Sequence, residues 1–122
     1  MREIKTHRVK SDYYSNQLEV SAIGERGSGG ANLEYQIRPD KKYLSDDLFI
    51  KFQHGDPSIL INGISNESLL AIVLDRLDGF QGGKFPSDET AFAIEHIERA
   101  LASMQTRTLE RIDRGVIGEL KK

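Results

Sequence analysis

Hydrophobic and polar residues alternate one by one in the first half of the chain and recur at threes and fours in the second. Leu33, Tyr35 and Ile37 alternate with Asn32, Glu34, Gln36 and Arg38, the period of a strand with one buried face. Leu18, Val20 and Ala22 alternate likewise, and the glycine-rich stretch Gly24 to Ala31 between the two runs predicts a hairpin that pairs them. Leu48, Ile50 and Phe52 predict a further strand, Ser58 to Ile61 a short one, and Ile4 to Val9 one at the edge. Pro39 and the polar stretch from Asp40 to Asp47 mark a connection.

After Asn62-Gly63 the period becomes helical. Ser65 is an N-cap candidate, Glu67 places negative charge in the first turn, and Leu69, Leu70, Ile72, Val73, Leu77 and Phe80 share one broad face. Gly82-Gly83 is expected to end this helix by accepting positive φ. Pro86 then precedes Ser87, a second N-cap candidate followed by Asp88 and Glu89. Ala91, Ile94, Ile97, Leu101, Met104 and Thr108 continue at helical spacing.

At 1.5 Å per residue, a helix from Ser65 to Gln81 spans roughly 25 Å and one from Ser87 to Asp113 roughly 40 Å. In an antiparallel hairpin the second overhangs the first, over Gln105 to Arg114, and the overhang needs another partner, either the sheet or a second subunit. The predicted architecture is α+β: an antiparallel β-rich half, residues 1–61, followed by a helical hairpin, residues 62–122, in one domain of 122 residues.

Composition narrows the function. The chain has no cysteine, which excludes disulfides, thiolate nucleophiles and sulfur-ligated metal, and His7, His54 and His96 are scattered, so no metal is expected. No apolar run reaches membrane-spanning length and MREIKTHRVK lacks a signal peptide's apolar segment, pointing to a cytoplasmic protein. The net charge of -2 conceals an asymmetry. Residues 1–64 carry nine basic and nine acidic groups, residues 65–98 two and seven, and residues 99–122 six and three. A basic end on an otherwise acidic chain suits one compact anionic ligand better than a nucleic-acid surface.

The candidate chemistry gathers in the second half. Arg107, Arg111 and Arg114, spaced four and three apart, project from one side of the second helix, where an anion would relieve their repulsion. The competing reading is a solvated or salt-bridged face, with Glu110 and Asp113 as partners. Phe80 by itself suits a core position. The glycine loop lacks the ending of a phosphate-binding loop and reads as a hairpin tip, with Arg26 available to cover a site. Asp75, Asp78 and His96 can be assembled into a catalytic group only on paper, and no nucleophile or paired-carboxylate spacing supports an enzyme. A small nucleic-acid-binding antitoxin or regulator, using the basic end of the second helix, is the alternative.

The run Asn62-Gly63-Ile64-Ser65-Asn66-Glu67-Ser68-Leu69-Leu70-Ala71-Ile72-Val73-Leu74-Asp75-Arg76-Leu77, then Phe80-Gln81, then Arg107-Thr108 through Arg111 to Arg114-Gly115-Val116, resembles the helical hairpin of phage sponge proteins. That hairpin is shared by the phage Thoeris anti-defence sponge and the smaller sponge that counters cyclic-oligonucleotide (CBASS) signalling. The β-rich half resembles the Thoeris type in architecture. The resemblance implies a non-catalytic homo-oligomer, a dimer or hexamer, acting in the cytoplasm of the infected host. It would sequester a glyco-cyclic ADP-ribose made by a bacterial TIR enzyme, in pockets where subunits meet and without a cofactor. By similarity, Phe80 stacks on the adenine, and Arg107 and Arg111 contact the base, ribose or pyrophosphate. Thr90 stands where the family often has asparagine, so a hydroxyl replaces an amide. Arg114-Gly115-Val116 matches a second site, for cyclic trinucleotides. There the following Ile117-Gly118-Glu119-Leu120 departs from the family's frequent Gly-Thr-His pattern and adds a negative charge.

Overall fold

The alternating first half folds as an antiparallel meander in the computed structural model, which describes residues 1–39 and 46–115. Strands β1 (Arg2–Ile4), β2 (Glu19–Arg26), β3 (Asn32–Arg38) and β4 (Leu48–Lys51) pair in chain order, with a short helix α1 (Tyr13–Gln17) between the first two. Two helices follow, α2 (Asn66–Gln81) and α3 (Asp88–Asp113), so the α+β architecture is that expected. The chain divides into two units, Met1–Gly63 and Ile64–Lys122.

Register places Val20 opposite Ile37, Ala22 opposite Tyr35, and Tyr35 opposite Ile50. Partners share a face, which makes this the apolar side of the sheet. Ala22, at 2% exposure, is its one buried hydrophobic residue, and the Tyr35 and Phe52 rings meet edge to face at 5.6 Å. The expectation of a single buried face is corrected here: Leu33, Tyr35 and Ile37 are half-buried, whereas Asn32 and Gln36 of the alternate set are buried. Hydrogen bonds make that burial tolerable. Asn32 accepts from the Arg2 guanidinium at 2.9 Å and donates to the Gly24 carbonyl at 3.3 Å, while Gln36 donates to the Asp47 carboxylate at 2.7 Å.

The β2–β3 hairpin pairs as expected, but β2 continues through Gly24 to Arg26, and only residues 27–31 form the loop. Gly24 has φ +72 within an irregular register between Ile23 and Arg26. A glycine there lets the strand bulge without a Cβ penalty.

Two strand expectations fail. The edge strand stops at Ile4, because a turn follows in which the Arg8 N–H donates to the Lys5 carbonyl. Ser58 to Ile61 is no strand: the Asp56 carboxylate accepts from both the hydroxyl and the N–H of Ser58, and Ile59 and Leu60 donate to the Asp56 carbonyl. An Asx turn has captured the backbone groups a ladder would need. The Ser58 hydroxyl, and then its N–H, hold the Asp56 carboxyl below its ordinary pKa. Of the connection expected from Asp40 to Asp47, residues 40–45 lie outside the described residues.

Both caps of the helical half form as expected. The Ser65 hydroxyl accepts from the Ser68 N–H, and the Ser68 hydroxyl accepts in turn from the Ser65 N–H, a capping box built with serine. Ser87 caps α3 by accepting from the Thr90 N–H. The end of α2 differs from expectation. Gly82 has φ -84, and the Gly82 N–H donates back to Asp78, so the helix closes on right-handed geometry without using positive φ.

Half-buried positions along α2 include Leu69, Leu70, Leu74, Leu77 and Gln81, and along α3 Ala93, Ile94, Ile97, Ala100, Leu101, Met104, Thr108 and Arg111. These threes and fours form the seam of the hairpin. Ile72, Val73 and Phe80, expected on that face, are exposed, and Leu74 takes their place; Ala91 of the expected α3 stripe is exposed as well. No residue of α2 or α3 is buried.

Candidate functional site

Two groups of side chains stand at opposite ends of the hairpin. The first lies at its turn. Phe80 is the penultimate residue of α2 and is 54% exposed, so it is not the core residue its chemistry alone allows. Thr90 sits in the first turn of α3, half-buried, and its hydroxyl oxygen accepts from the Ser87 hydroxyl at 2.9 Å. Gln81 ties the two helix ends together: its amide donates to the Ser87 carbonyl at 3.0 Å and its carbonyl accepts from the Ser87 N–H at 3.1 Å. This cyclic pair holds the turn closed, and sequence reasoning missed it. The available signal was a glutamine at a helix end, six residues before an N-cap serine.

The second group lies in the overhang of α3, which has 26 residues against 16 in α2. Arg107 is exposed and Arg111 half-buried on the continuation of the seam. Arg114 caps the helix and forms an ion pair with Glu110 at 3.7 Å, so the salt-bridged reading holds for this arginine. Gly115 follows with φ +69, the left-handed residue that ends the helix. Val116 lies outside the described residues.

From Thr90 to Arg107 the rise along α3 is roughly 25 Å, far longer than an arginine side chain. One hairpin therefore keeps Phe80 and Thr90 at one end and Arg107 and Arg111 at the other, and does not bring the two groups together. Arg26 belongs to the first unit, where its guanidinium donates to the Gly30 carbonyl at 3.4 Å across the hairpin tip.

Among the described residues no three His, Cys, Asp or Glu side chains are grouped to hold a metal ion. Asp75, Asp78 and His96 are exposed on α2 and α3. Among those same residues no helix is long and apolar enough to cross a membrane.

Comparison with known proteins agrees with this anatomy. The family model described as "Acb2/Tad1, hairpin domain" matches residues 45–108, more than half of the chain. The chain belongs to the Acb2/Tad1 hairpin family. Over 61 residues it is also 46% identical to "Thoeris anti-defense 1" of Bacillus phage SBSphiJ7. That stretch is 50% of this chain and 43% of the relative, so the match spans less than half of the relative's length. Within the Acb2/Tad1 match fall β4, α2, Phe80, Thr90 and Arg107. Arg111, Arg114, Gly115 and Val116 follow its end, and Arg26 precedes its start.

Proposed function

We propose that this chain is a non-catalytic sponge that captures a nucleotide-derived immune signal of the cyclic ADP-ribose class, blocking Thoeris-type defence in the cytoplasm of an infected host. The observation that carries this reading is the division of the Acb2/Tad1 hairpin into an exposed aromatic end and an arginine end. Aromatic faces stack on bases, and guanidinium forks pair with phosphate oxygens. Phe80 takes the adenine, with Thr90 beside it, and Arg107 and Arg111 take the ribose and pyrophosphate.

Because one hairpin separates the two groups, a complete site needs two copies packed antiparallel, the arginine end of each against the aromatic end of the other. Exposed Ile72, Phe92, Leu109 and Ile112, on helices with no buried residue, supply apolar surface for such a homo-oligomer. Symmetry puts the two-fold axis midway between Thr90 and Arg107, near Glu98 and Arg99 of α3. A second ligand, a cyclic trinucleotide at Arg114-Gly115-Val116, has weaker support, since Arg114 is already engaged by Glu110.

Arginine, threonine and phenylalanine bind and orient a ligand, but none is an effective general base at neutral pH. Capture is therefore stoichiometric. Protein incubated with an extract of TIR-activated cells, washed and heat-denatured should release an intact cyclic nucleotide, identified by mass spectrometry, in at most one equivalent per site. Removal of many equivalents by one of protein, or release of a linear product, contradicts the proposal.

A further inference from the structure

The Phe80 ring carries a cation of its own. The guanidinium carbon of Arg76 lies 5.4 Å from the ring centroid, one helical turn back on α2. Arg76 is the only basic residue of α2, a helix that also carries Glu67, Asp75 and Asp78. Asp75 and Asp78 stand one and two positions away, spacings that do not face each other on a helix. Among the described residues Arg76 forms no ion pair, and its guanidinium rests on the ring instead. Between residues 65 and 98 the other cation is Lys84, in the linker after α2.

A base stacked on Phe80 carries its ribose and 5′-phosphate past the edge of the ring. There a guanidinium already held against that ring meets the phosphate by rotation of its own side chain. Arg107 and Arg111 lie at the far end of the hairpin, so Arg76 is the arginine that the aromatic end supplies by itself.

We infer that the turn end of each hairpin is a nucleoside-monophosphate half-site in its own right, in which Phe80 holds the base and Arg76 the phosphate. This rests on the nucleotide reading above but does not require the arginines of a second copy. Capture then has an order: the half-site engages base and first phosphate, and the arginine end of another copy closes on the remainder.

The probes are AMP and adenosine, titrated into the full chain carrying Arg107→Ala and Arg111→Ala, so that the composite site is disabled. AMP should bind about tenfold more tightly than adenosine, the range of one charge-assisted contact. Adding Arg76→Ala should erase that preference while leaving adenosine within about twofold, and Arg76→Lys should restore part of it. Equal binding of AMP and adenosine before Arg76 is changed overturns the inference. So does an equal loss for both ligands on Arg76→Ala, which would make Arg76 a prop for the ring. Retention of a cyclic ADP-ribose by the unmodified chain is measured separately, so failure of the sponge reading is distinguishable from failure of the half-site.

Discussion

Replacing Arg107 and Arg111 together by alanine should leave the hairpin folded and remove nearly all capture of the cyclic nucleotide. A hydrogen bond to a charged group contributes about 1.5–3 kcal/mol. Loss of two weakens binding by at least about a hundredfold, even allowing for coupling between neighbours one turn apart. Stability should change little. Arg107 is exposed, and Arg111 is a half-buried cation in the last turn, where the helix dipole favours it only modestly. Phe80→Ala should behave in parallel, with an unchanged melting profile and a loss of about 1–3 kcal/mol from lost stacking. Calorimetric titration beside thermal melting separates the two quantities. A double arginine variant that binds as tightly as the parent removes the site assignment.

Gly63→Ala should destabilise the sheet unit although the residue touches no ligand. A Cβ built there lies 2.4 Å from the Phe52 carbonyl carbon and 2.6 Å from both the Phe52 oxygen and the Gln53 nitrogen. These are backbone atoms, and they are held in place. The Phe52 N–H donates to Leu33 at 2.8 Å, the His54 N–H donates to the Asn62 side chain at 2.9 Å, and the Asn62 N–H donates to the Gln53 side chain at 3.0 Å. A methyl group forced into this space should cost about 1–3 kcal/mol, as overpacking generally does. In a unit of this size each kcal/mol lowers the melting temperature by about 4–8 °C. Gly29→Ala is the control, since a Cβ there meets nothing within 4 Å. Equal melting of the two variants would show that the approach at Gly63 relaxes freely.

Much of the fold was legible because the signals were local. Ser65 and Ser87 announced two helices whose caps form as read, and the alternation at Leu18 to Ala22 and Leu33 to Ile37 announced a pair that forms with its glycine tip. Failures arose where a side chain competes for the backbone. Asp56 captured Ser58 and turned an apolar run into an exposed loop, leaving Ile59 84% exposed. Asp12 capped α1 by accepting from the Ser15 N–H, in a five-residue helix too short to show a period. Buried Asn32 and Gln36 were invisible for a related reason: their partners are Arg2, on another strand, and Asp47, at the far end of the adjoining connection.

The candidate site divides in the same way. Arginines at four-residue spacing and a lone phenylalanine near a helix end can be read from sequence as residue types. That they stand at opposite ends follows only from knowing that Phe80 lies at the hairpin turn, beside Thr90, from which Arg107 is roughly 25 Å away along α3. The Arg76 contact with Phe80 follows from an i, i+4 spacing that was present but carried no signal apart from the ring's exposure. The lock made by Gln81 depends on a turn geometry that sequence does not encode visibly.

The central claim is that each binding site combines the aromatic end of one copy with the arginine end of another, and mixing two defective variants tests it directly. Phe80→Ala alone and Arg107→Ala/Arg111→Ala alone should each fail to retain the cyclic nucleotide. Unfolded together and refolded as an equal mixture, they should regain about a quarter of the parent's sites, because random pairing joins an intact aromatic end to an intact arginine end in one site of four. Equilibrium binding to the refolded mixture, counted as sites per chain, is the measurement. Recovery near that fraction, at the parent's affinity, is the predicted result; no recovery from a mixture that has demonstrably exchanged subunits would contradict the shared site.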